Sequence, residues 1–106
     1  MVIDTDITIS EVCNDDITIR ENATLTFNGI ANGCITVESS SKLIMNGVCT
    51  DDICIHSTAT AEINGVVNNN VVNYGHIIIS GIVEHLINVL GKCDIRPGSI
   101  VDGKRY

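Results

Sequence analysis

Apolar and polar residues alternate in short bursts along this chain, and the bursts return at a fixed distance. Ile17-Thr18-Ile19 and Leu25-Thr26-Phe27 are typical: apolar, polar, apolar. A period of two marks a strand with one buried face. Between the bursts lie Asn, Gly, Asp, Ser and Thr, which suit tight corners because they tolerate or locally bond unusual backbone.

Aligned on one tripeptide, the copies read Ser10-Glu11-Val12, Asn28-Gly29-Ile30, Asn46-Gly47-Val48, Asn64-Gly65-Val66, Ser80-Gly81-Ile82 and Gly98-Ser99-Ile100, mostly 18 residues apart with one step of 16. Five apolar columns result, and all five are expected to point inward. They read Ile7, Leu25, Leu43, Ala61, Ile77, Cys93; then Ile9, Phe27, Met45, Ile63, Ile79, Ile95; then Val12, Ile30, Val48, Val66, Ile82, Ile100; then Ile17, Ile35, Ile53, Val71, Ile87; and last Ile19, Val37, Ile55, Asn73, Val89.

Short strands, polar corners and a constant period predict an all-β fold: a single-domain parallel β-solenoid (β-helix) over residues 1–106. About six rungs of 16–18 residues start near 7, 25, 43, 61, 77 and 93. Rungs stacked about 4.8 Å apart place like side chains over one another. A helical-hairpin repeat is excluded, because the Asn-Gly punctuation leaves no uninterrupted helical stripe before Ile77. A calcium-binding β-roll needs GGxGxD loops, which are absent. A left-handed hexapeptide coil also uses 18 residues, but bulky Ile17, Ile35 and Ile53 sit where it needs small ones, so a right-handed triangular coil is expected.

The segment Asn28-Gly29-Ile30-Ala31-Asn32-Gly33 followed by Ile35-Thr36-Val37 resembles bactofilin-type polymer-forming domains. It also resembles small bacterial β-solenoid proteins that act as immunity factors beside secreted toxins. Any aliphatic solenoid converges on such motifs. The Pro-rich or polar tails that flank a bactofilin core are missing, which turns the expectation toward an immunity protein that neutralises a cognate toxin. The alternative is a self-assembling cytoskeletal scaffold of bactofilin type. A hexapeptide-type transferase or metal hydratase comes third.

Composition sharpens this picture. The chain is 44% hydrophobic yet only 3% aromatic, so aliphatic residues must fill its core. Its net charge of -7 disfavours nucleic acid, which is bound through Lys and Arg. The same charge suits a basic protein partner, such as a basic toxin domain. No stretch is long and apolar enough for a membrane span. The start Met1-Val2-Ile3-Asp4 has no secretory character, and the odd count of five cysteines with no CxxC pair suits reduced thiols, so a cytoplasmic location is expected.

Candidate chemistry is sparse. His56 and His76 fall one coil apart, the arrangement a hexapeptide-type enzyme would exploit, whereas His85 sits at another corner. The pairs Asp15-Asp16 and Asp51-Asp52 share one corner two rungs apart, a negative ridge for a basic partner. A glycosidase pair would need a cleft and sugar-stacking aromatics. Ser10, Asn28, Asn46, Asn64 and Ser80 stack as a structural amide ladder. Two columns face outward: Thr8, Thr26, Ile44, Glu62, Ile78, Asp94 and Thr18, Thr36, Cys54, Val72, Asn88. Thr is the ordinary choice there; Ile44, Ile78, Cys54 and Val72 are not, and they are the expected apolar contacts of a partner. No catalytic, cofactor or metal residues are assigned. Pairing with a second copy through the solenoid ends or outer face stays open, since an acidic start and a Lys104-Arg105 end attract each other.

Overall fold

Each rung of the chain folds as three strand segments separated by corners, and each segment hydrogen-bonds to its counterpart one rung away. A computed structural model describes residues 1–106. Every strand pairing is parallel except the last. The molecule is an all-β parallel solenoid of about six turns with three faces and no helix. None of its elements is a helix long and apolar enough to cross a membrane.

Face 1 is a six-stranded sheet: Ile7–Ile9, Thr24–Phe27, Lys42–Met45, Thr60–Ile63, His76–Ile79 and Lys92–Ile95. Face 2 is narrow, starting with Val12–Cys13, Ile30–Ala31 and Val48–Cys49 and ending with Ile100–Val101. Face 3 carries Val2–Ile3, Ile17–Ile19, Ile35–Val37 and Ile53–Ile55. In the next two rungs single long strands, Val66–Asn73 and Ile82–Asn88, run from face 2 through the corner into face 3.

The expected vertical files form on faces 1 and 3. Ile17 pairs with Ile35 and Ile35 with Ile53, while Leu25 lies between Ile7 and Leu43. Leu25, Leu43, Phe27, Met45, Ile35, Ile53 and Ile55 are all fully buried. Burying such a side chain contributes about 1.5–3 kcal/mol, so a few files suffice to hold a small chain. Rungs one to three turn from face 3 to face 1 through a left-handed residue: Asn22, Ser40 and Thr58 have φ near 65°.

Two expectations are corrected. First, the Val12, Ile30, Val48, Val66, Ile82, Ile100 column points outward. The buried column of face 2 is its neighbour: Cys13, Ala31, Cys49, Val67, Val83 and Val101. Second, Ile87 and Val89 do not continue the inner files of face 3. Rung five has one residue fewer at its corner, and the register shifts between Val67 and Asn70. Val71 therefore pairs with Leu86, Val72 with Ile87 and Asn73 with Asn88. A slip of one residue exchanges the two sides of a strand, and Ile87 and Val89 emerge into solvent.

Asn73, in an otherwise aliphatic file, is fully buried. Its amide donates to the Asn88 side chain at 3.1 Å and the Lys92 carbonyl at 2.9 Å, and its oxygen accepts from the Gly75 N–H at 3.0 Å. A buried amide is tolerated when its bonding capacity is met. Here it organises a corner two residues shorter than those before it, since Thr60 pairs with His76.

Candidate functional site

The most distinctive surface of the molecule is the outside of face 2, and a column of glycines aims it. A β-carbon on Gly29, Gly47, Gly65 or Gly81 would lie 1.8–2.1 Å from a carbonyl oxygen of the preceding rung. Glycine closes the second to fifth rungs at this corner, where a side chain would point along the coil axis into the preceding backbone; in the sixth the position is taken by Ser99, whose hydroxyl donates to the Ile79 carbonyl at 2.9 Å. The next residue is thrown outward and the one after it inward. The inner residue is small in the first three rungs, Cys13, Ala31 and Cys49, because this face is pinched between two corners. The outer residue is a β-branched aliphatic in all six.

An aliphatic file thus runs the length of the coil. Val12, Ile30 and Ile82 are 58%, 43% and 38% exposed, and Val48, Val66 and Ile100 are half-buried. Five steps of about 4.8 Å make it about 24 Å long. Outward strand positions elsewhere in the coil carry Thr, as at Thr8, Thr26, Thr18 and Thr36, whereas this file carries none.

Hydrogen-bonded ladders border the file on both sides. On the face 1 side, Asn46 donates to Asn28 and Asn64 to Asn46, each at 2.9 Å. On the face 3 side, Asn32 donates to Asn14 at 2.8 Å and the Thr50 hydroxyl to Asn32 at 3.2 Å. The face 1 border is otherwise neutral between Glu11 and Arg96. The face 3 border is acidic: Asp15-Asp16, Asp51-Asp52, Glu84 and Asp102 lie along it with no Lys or Arg before Lys104.

Several of those carboxylates also hold the corner together. Asp16 Oδ1 accepts from the Cys34 N–H at 2.9 Å, Asp52 Oδ1 from the Asn70 N–H at 3.0 Å, and Asp102 Oδ1 from the Leu86 N–H at 3.0 Å. The Cys34 thiol and the Asp51 and Asp52 carboxylates have ligand atoms within 4.8 Å of one another. Burial, then the Asp51 carboxylate, pushes the Cys34 thiol up, so it stays protonated at neutral pH. Burial pushes Cys49 up to about 11.

The apolar residues singled out from sequence fall on two other faces. On face 1, Glu62 stands between Ile44 and Ile78 and pairs with both, so these two do not join. Glu62 also reaches Lys42 at 3.4 Å. On face 3, Cys54, Val72 and, through the register slip, Ile87 form one continuous outward file. Of the two faces that flank the Asp15-Asp16 and Asp51-Asp52 corner, face 2 carries the longer file. Sequence reasoning missed it as a surface because it counted those residues as core.

The histidines do not converge. His56 aligns with Tyr74, one residue beyond the Ile55–Asn73 pair, while His76 pairs with Thr60 and Lys92. His85 lies 3.7 Å from Asp102 at an exposed corner. His56 lines a shallow groove with Ser39, Ser57, Tyr74 and Leu90, opened by the shortened corner of rung four. No carboxylate or thiol lines that groove to orient the imidazole.

Both ends of face 2 are closed. Glu11 occupies the glycine column in the first rung, where no preceding strand meets it, so its side chain projects from the end of the coil. At the other end, Asp102 and Gly103, with φ of 54° and 76°, turn the chain back. Lys104–Arg105 then pairs antiparallel with Ile100–Val101. The return is fixed by Tyr106 donating to the Ser99 carbonyl at 2.8 Å and Gly98 to the Tyr106 carbonyl at 2.6 Å. Opposed residues share a side of the sheet, so Arg105 terminates the aliphatic file. Ten of the thirteen acids, but only two of the six Lys and Arg, precede residue 63.

The chain matches no protein-family profile, no curated protein and no solved structure.

Proposed function

We propose that this protein is a non-enzymatic binding module that covers its face 2 with another protein. The observation that carries this reading is the outward aliphatic file from Val12 to Ile100, repeated in six rungs. Burying exposed aliphatic surface is the main driving force of protein association. The concave, convergent arrangement of titratable groups that catalysis requires has no counterpart around His56, His76 or His85.

The most specific form of this reading is an immunity protein acting in the cytoplasm on a basic toxin domain. It rests on the acidic border beside the file and on the sequence resemblance. The bactofilin-like scaffold is the weaker alternative. Coaxial stacking of copies would have to pass Glu11 at one end and the antiparallel Lys104–Arg105 strand at the other, and natural sheets use such devices against edge association.

The test is co-purification with the protein encoded by the adjacent gene. A stoichiometric complex that is lost in an Ile30→Thr, Val66→Thr, Ile82→Thr variant supports the reading, given unchanged circular dichroism. A complex insensitive to these substitutions, or filaments of the wild-type protein in negative-stain images, overturns it.

A further inference from the structure

The reading above leaves the shape and charge of the partner open, and the borders of the file narrow both. We infer that face 2 accepts a basic amphipathic helix lying parallel to the coil axis. This inference rests on the reading of face 2 as a binding surface.

The file offers one aliphatic side chain about every 4.8 Å. An α-helix laid along it offers one turn every 5.4 Å. The two drift apart by only about 0.6 Å per step, about 1.8 Å over three turns, so consecutive residues of the file can each meet a turn of the helix. A partner strand has no such fit, because the backbone groups of face 2 are already bonded to the rungs on either side. Side chains, not an open edge, are what this face presents.

The border toward face 3 carries Asp15-Asp16 in rung one, Asp51-Asp52 in rung three and Glu84 in rung five. Acids on alternate rungs lie about 10 Å apart, and residues seven apart on a helix lie about 10.5 Å apart. Lys or Arg at that interval, beside an apolar stripe, would meet each acidic step in turn. The opposite border, built on Asn28, Asn46 and Asn64, is neutral and suits the solvated side of the helix. The partner is therefore asymmetric: apolar stripe on the file, cations on one flank only.

The probe is a synthetic helix of about 16 residues, matching the file at 1.5 Å per residue, with Leu along one stripe and Lys on the flank. Its partners in the assay are a Leu/Glu version and a scrambled Leu/Lys peptide that lacks the stripe. Binding to the intact protein is measured by fluorescence anisotropy at two salt concentrations. We expect the Leu/Lys helix to bind at least tenfold tighter than either control. The Asp15→Asn, Asp51→Asn, Glu84→Gln variant should weaken it at least tenfold and remove most of its salt dependence. The Ile30→Thr, Val66→Thr, Ile82→Thr variant, which keeps β-branched side chains and the fold, should weaken all binding at least tenfold. Equal binding of the Leu/Glu helix overturns the basic-partner inference while leaving face 2 as the binding surface. Equal binding of the scrambled peptide overturns the helical one. Binding that ignores the threonine variant, or no binding at all, overturns this inference; the use of face 2 by another protein is decided separately, by the co-purification test and its threonine variant.

Discussion

Gly65 sits so tightly over Gly47 that a β-carbon on it would come within 1.9 Å of the Gly47 carbonyl oxygen. No side-chain motion relieves such a contact, because both partners are backbone. Gly65→Ala is expected to cost about 3 kcal/mol or more, the upper range for forcing an atom into packed structure. Glu11→Ala, in the same column but in the first rung with no strand before it, should change stability by less than about 0.5 kcal/mol, as surface substitutions do. Urea denaturation of the two variants checks the contrast; equal loss in both would mean the column is not aimed along the axis.

The register slip in rung five is testable by charge insertion. Leu86 packs against the core while Ile87 is 47% exposed. Leu86→Asp should lower the melting temperature strongly, because an unpaired carboxylate resists burial. Ile87→Asp should be nearly neutral. The reverse order of sensitivity would restore the register expected from the 18-residue period. Ile53→Asp, at a fully buried position, should abolish folding altogether.

Asn73 joins three partners across the shortened corner. Asn73→Leu suits the aliphatic file but strands the Gly75 N–H and the Lys92 carbonyl. A loss of about 1–3 kcal/mol is expected from leaving such groups unpaired. Asn46→Ala, in the exposed ladder, should cost about 1 kcal/mol or less. Thermal melts of both variants give the comparison.

The cysteines make stability fall at high pH. Burial raises the Cys49 thiol from 9.0 to about 11 in the folded chain. Between those values the unfolded chain releases a proton that the native one retains, so rising pH favours unfolding. Melting temperature should fall through that window and level off above it, and more gently for Cys49→Val. An identical slope in the variant would assign the effect elsewhere, for example to Cys34, Cys54 or Cys93, whose thiols burial also raises.

The closed ends predict a dispersed protein. Glu11→Gly combined with removal of residues 103–106 opens both ends of face 2 while keeping Asp102 on the Leu86 N–H. Light scattering should report concentration-dependent growth for this variant and none for the wild type. Growth of the wild type would show that Glu11 and the Lys104–Arg105 strand do not block stacking.

Much of this architecture was legible in the residues. Ile17, Ile35 and Ile53 lie 18 apart because they stack, and period-two alternation told inside from outside on faces 1 and 3. Face 2 defeated that reasoning. Its strands in the first three rungs are two residues long, so Val12-Cys13, Ile30-Ala31 and Val48-Cys49 contain no alternation to count. With both residues of each pair apolar or small, size misled: the bulkier one faces solvent. The glycines were the available signal, since a Gly recurring in register at Gly29, Gly47, Gly65 and Gly81 fits a column where main chains approach closely. At Ile87 the period itself failed, because a corner shortened by one residue leaves the composition of the strand unchanged.

Because each internal rung touches only the rungs above and below it, nothing in the middle of the chain records how many rungs there should be. Duplicating a block such as Leu25 to Lys42 should lengthen the cylinder by about 4.8 Å without redesign, and lengthen the exposed strip by the same increment. The molecule is in this sense a ruler, graduated by its interior.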